Sequence, residues 1–121
     1  MSEARRLAAT LLHDVGKYVA RTARNLRDGQ MIDGLFASML LRDVYETYRG
    51  ARASARFEEL ARPLAAIAPD ARLDDVRTRL RAIDAREADA RAGDAAALSA
   101  IARDARAIEE TLRAIARERT S

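Results

Sequence analysis

The chain contains no cysteine, which excludes a disulfide framework and any thiolate metal site and suits a reducing cytoplasm. It also lacks a long apolar run. The N-terminal stretch carries Arg5 and Arg6 and is soon broken by His13, Asp14 and Lys17, so neither a signal peptide nor a membrane span is expected. No segment alternates with period two for long enough to make a strand. No Gly-rich phosphate loop is present, which argues against an ATP site. Histidine and lysine are nearly missing as well. One of each occurs, against twenty-one arginines, and both stand in "LLHDVGKYV", residues 11–19.

What is present is mostly alanine, arginine and aliphatic residues at helical spacing. Alanine and arginine both have GC-rich codons, so arginine richness alone says little, whereas a retained lysine says slightly more. Net charge is +3. It lies in residues 1–62, which hold 11 basic and 8 acidic side chains, while residues 63–121 hold 11 of each. The excess gathers around Arg21, Arg24 and Arg27, then around Arg49, Arg52 and Arg56. At 121 residues the chain is read as one domain, residues 1–121, with a modest core.

Four helical segments account for nearly all of it. Ser2 is placed to cap a first helix whose stripe is Leu7, Leu11, Val15, Val19 and Leu26, and "RDGQ" ends it at Gly29. A second helix starts near Asp33 and runs through Phe36, Leu40, Val44 and Tyr48. Its apolar phase slips around Gly50, before Phe57, Leu60, Leu64 and Ile67, so it is either long and kinked or split. Pro63 kinks that run or marks a first turn. "PDARL" caps a third helix with the seam Leu73, Val76, Leu80 and Ile83. "AGD" breaks the chain, Gly93 ending one helix and Asp94 capping the next. Leu98, Ile101, Ala105, Ile108, Leu112 and Ile115 then continue to the end, so the last two helices read as an antiparallel hairpin. The expected fold is all-α, an antiparallel up-down four-helix bundle.

"HDVGKY" is the stretch that bears chemistry. On a regular helix, Gly16, Lys17 and Ala20 share the side of His13, away from Leu11 and Val15. An imidazole is then presented on the bundle surface beside small residues, with an ammonium one turn away. Asp14 is placed to orient the ring or take its proton. A histidine that attacks phosphorus uses each feature. Lys17 and Arg21 screen the charge it acquires, and Gly16 lets a partner's backbone approach. Gly16 also has a plain reading as a close helix–helix contact, since glycine inside a helix costs about 1 kcal/mol relative to alanine.

"HDVGK" resembles the signature of HD-domain phosphohydrolases, whose His–Asp pair binds a divalent metal with further histidine ligands. With His13 alone, this chain has too few ligands, and no metal site is assigned. The same stretch resembles histidine-phosphotransfer proteins of two-component phosphorelays and the phosphoacceptor helix of sensor kinases. The former are four-helix bundles with one exposed histidine followed closely by lysine and glycine; here glycine precedes lysine. The latter often place an acid directly after the histidine, as Asp14 stands here. The resemblance covers about six residues plus the helical architecture. It implies a bacterial, cytoplasmic signalling protein in which His13 is the phosphoacceptor, with Asp14 and Lys17 assisting. Gly16, Tyr18, Ala20, Arg21 and Arg24 would face a receiver-domain partner. No cofactor is implied beyond magnesium on that partner.

Two other classes compete. A non-catalytic adaptor would dock a signalling partner, or a second copy of itself, through the first helix and the apolar cluster Met31, Ile32, Leu35, Phe36 and Met39. Nucleic-acid binding would use the basic stripe Arg49, Arg52 and Arg56, which has no acid among residues 49–56. Aromatic content of only 4% and a neutral second half argue against it.

Overall fold

The structure is a computed structural model that describes residues 2–21, 53–92 and 94–120. Among them there are four helices and no strand. The expected second helix from Asp33 to Tyr48, the break at Gly50, Gly29, Gly93, Arg24 and the Met31–Met39 cluster lie outside the described residues.

The first helix, α1, spans Glu3–Leu11. Ser2 caps it, its hydroxyl accepting from the Arg5 N–H at 3.2 Å. The chain then widens into a single π-turn over Leu12–Gly16, where the Lys17 N–H reaches back to the Leu12 carbonyl, before α-helix resumes over residues 17–21. The cause lies in the apolar spacing. Leu7, Leu11, Val15 and Val19 are four apart each time, and all are buried. Three turns of α-helix take about 10.8 residues, whereas Leu7 to Val19 is 12. The surplus of about one residue is what a π-turn absorbs, so the whole stripe stays on the core.

The other helices need no such correction, because their seams alternate three and four. In α2, Ala53–Ile67, the residues Phe57, Leu60, Ala61 and Leu64 are buried. Pro63 lies within α2 rather than in its first turn, where it brings no N–H to the Glu59 carbonyl. Ile67, the last residue of that apolar run, is 53% exposed at the helix end. In α3, Arg72–Arg91, the seam Leu73, Val76, Leu80 and Ile83 is buried as expected. So is the full run from Leu98 to Ile115 in α4, Ala95–Thr120. Asp94 caps α4 by accepting from the Ala97 N–H at 3.0 Å.

Neighbours pack in a ring: α1 on α2 and α4, α2 on α3, and α3 on α4. Their apolar faces merge into one core. Helices α3 and α4 run antiparallel, since Arg72 pairs with Glu118 and Arg79 with Asp104. The same holds for α2 and α3, through Ser54 with Asp84 and Arg77 with Glu58. The Arg77 guanidinium also lies over the Phe57 ring, 5.5 Å from its centroid.

Candidate functional site

The π-turn decides what the "HDVGKY" stretch presents. Each residue of a wider turn advances the chain by a smaller angle, so Gly16 does not follow His13 to the outside. It is buried. A Cβ at this position would lie 2.9 Å from Leu12 Cδ1 and 3.8 Å from Leu112 Cδ1 of α4. The expectation that Gly16 shares the face of His13 is therefore corrected: the glycine is packed inward, tightly against Leu12 of its own turn and in ordinary contact distance of Leu112 on α4. Tyr18 is also placed inward, only 6% exposed, as part of the core. Neither residue offers a surface to a partner.

His13 is on the outside. Its side chain is 73% exposed. The ring nitrogen Nδ1 lies 2.8 Å from Asp14 Oδ1. The second carboxylate oxygen, Oδ2, accepts two bonds from Arg56 of α2, from Nε at 2.8 Å and Nη2 at 2.5 Å. Arg56 also donates from Nη1 to Glu59 Oε2 at 2.9 Å, one turn further along α2. Four side chains from two helices thus form one chain: His13, Asp14, Arg56, Glu59.

The electrostatics follow the geometry. The contact with His13 holds the Asp14 carboxyl below the ordinary carboxylate range, and the Arg56 bonds add to this against the opposing effect of partial burial. Asp14 is therefore an ionised, acceptor-only group. The nitrogen that meets it at 2.8 Å must donate, which puts a proton on Nδ1. In the neutral ring the lone pair then belongs to Nε2.

Lys17 and Arg21 are exposed, and Ala20 is half-buried. Lys17 and Ala20 line a shallow cleft against Glu109 and Arg113 of α4, where Arg113 pairs with Glu109 at 2.5 Å. Among the described residues, no carboxylate pairs with Lys17. Of the proposed basic stripe, Arg49 and Arg52 lie outside the described residues, and Arg56 is engaged with two carboxylates. Sequence reasoning did not find Arg56 as a partner of Asp14. The faint signal was position: Arg56 precedes buried Phe57 and so borders the inward face of α2.

Among the described residues, no three histidine, aspartate or glutamate side chains converge as a metal site. No described helix is long and apolar enough to cross a membrane. The chain matches no protein-family model, no curated protein and no solved structure in comparison with each.

Proposed function

We propose that this chain is a histidine-phosphotransfer-like protein of cytoplasmic signalling, an up-down four-helix bundle that carries a phosphoryl group on His13 between receiver domains. The observation that carries the reading is the state of His13: an exposed ring whose Nδ1 is engaged by Asp14, which leaves Nε2 as the nitrogen available to a reactant. The Nε2 lone pair attacks the phosphorus of an acyl phosphate, a phospho-aspartate on the donor. A P–N bond forms, the P–O bond to the donor breaks, and the donor carboxylate leaves with the electron pair. The ring becomes a phospho-imidazolium whose remaining N–H stays hydrogen-bonded to ionised Asp14. Transfer to an acceptor aspartate reverses these steps. Lys17, exposed one turn along, supplies positive charge near the transferred group. The donor and acceptor contribute the magnesium.

The test is direct phosphorylation. The purified protein is incubated with phosphoramidate and magnesium, and its intact mass is read beside that of His13→Gln. An acid-labile gain of one phosphoryl group that needs His13 is the expected result. A folded sample that gains no mass would overturn the reading and favour an adaptor without chemistry.

A further inference from the structure

We propose that Arg56, a residue of a different helix, is a positioning residue for His13: through Asp14 it fixes which ring nitrogen is protonated and so which one is the nucleophile. This deepens the phosphoacceptor reading and rests on it for its functional meaning. The geometry stands by itself. Asp14 is bound at both oxygens, Oδ1 by the ring and Oδ2 by two donors of one guanidinium. Two N–H groups of one rigid, planar guanidinium converge on Oδ2 and hold that oxygen in place, while Oδ1 lies against the ring. Glu59 braces that fork from the opposite side. A carboxylate held at both oxygens is biased toward the imidazole, and an ionised carboxylate can only accept. The ring therefore keeps its proton on Nδ1 and leaves the Nε2 lone pair available to a reactant. The same chain ties the chemistry to the fold, because Asp14 belongs to the π-turn and Arg56 to α2. His13 is correctly set only while those two elements are docked.

The consequence that separates positioning from mere structural support concerns Asp14→Asn. Arg56 has donors only and so claims the amide oxygen. The amide NH2 is then turned to His13 Nδ1, which must accept, and the proton moves to Nε2. This isosteric change leaves the shape intact and inverts the tautomer.

The experiment reads the ring nitrogens directly by long-range nitrogen–proton NMR on labelled full-length protein. The pH is raised until the carbon-bound ring protons stop shifting, so that His13 is neutral. Wild type is expected to show a protonated Nδ1 and an unprotonated Nε2. Arg56→Gln should lose that preference, Arg56→Lys should keep part of it, and Asp14→Asn should show the reverse pattern. Circular dichroism confirms unchanged helix content in each. Phosphoramidate labelling of Arg56→Gln should slow on the order of tenfold, the scale of losses when a group orienting a ligating histidine is removed. A wild-type ring protonated on Nε2, or an Arg56→Gln ring identical to wild type, would overturn the inference. A correct tautomer pattern in a protein that takes no phosphoryl group would support the role of Arg56 and sink only the phosphotransfer reading.

Discussion

At the residue scale, Gly16 shows how one position answers to two opposing terms. Alanine there would gain roughly 1 kcal/mol of helix propensity. Its Cβ would meet the Leu12 Cδ1 at 2.9 Å, yet that methyl ends a flexible, half-buried side chain, and displacing it costs about 0.5–1.5 kcal/mol. The two nearly cancel, so Gly16→Ala should shift the urea midpoint by less than the equivalent of about 1 kcal/mol. Gly16→Val puts branched atoms toward Leu112 of α4, a core residue that cannot swing into solvent. That overpacking should cost about 1–3 kcal/mol. A loss of several kcal/mol for the alanine variant would instead mean that the π-turn itself requires glycine. That Gly16 has a plain reading as a packing position was legible in the sequence, and it is buried; that its tight neighbour is Leu12 of its own turn, and which side of the helix it takes, were not. Angular position follows from residues per turn, and one wide turn moves every assignment after it.

At the element scale, the apolar seams of α3 and α4, which alternate three and four, were legible, although α3 starts after Ala71 with no side-chain cap bond from that residue and α2 ends on an exposed Ile67. Every seam residue expected in α3 and α4 is buried, and Asp94 caps where it was expected to. The π-turn went unread although its signal was present: four consecutive stripe residues at spacing four overrun α-helical geometry by about one residue. The link from Asp14 to Arg56 could not be read, since it joins positions 42 apart in the chain. No local pattern fixes which acid an arginine on another helix will choose. Element geometry also makes a prediction at Pro63. Proline inside a helix is about 3 kcal/mol worse than alanine. Its stiffening of the unfolded chain returns about 0.4–1 kcal/mol of that. Because Pro63 is exposed, Pro63→Ala should stabilise the protein by about 2 kcal/mol, read as a higher thermal midpoint. An unchanged or lower midpoint would mean that the backbone conformation proline imposes at this position is what seats Leu60 and Leu64 on the core.

At the scale of the whole molecule, the ionised side chains do more than cover the outside, because partly buried carboxylates stand at successive helix junctions. Asp14 takes Arg56 between the first helix and α2, and Glu58 takes Arg77 between α2 and α3. Asp70 takes Arg72, which reaches on to Glu118 of α4. All three acids are held below their ordinary range. For Asp14 the main cause is the His13 contact with Arg56 next, for Glu58 it is the bond from Arg77, and for Asp70 the bond from Arg72. A carboxyl whose folded pKa is depressed stabilises the fold above its unfolded pKa, about 4, and loses that contribution as pH falls through the folded value. The thermal midpoint should thus be level from neutrality to about pH 5 and fall steadily below it. The triple variant Asp14→Asn, Glu58→Gln, Asp70→Asn should start lower at pH 7 and decline less, so that the two curves converge in acid. Parallel curves with a constant offset would show that these carboxylates contribute contacts but no charge. Convergence would show that the helix junctions are held by ionised pairs, and the junction that aims His13 would then loosen in acid with the rest.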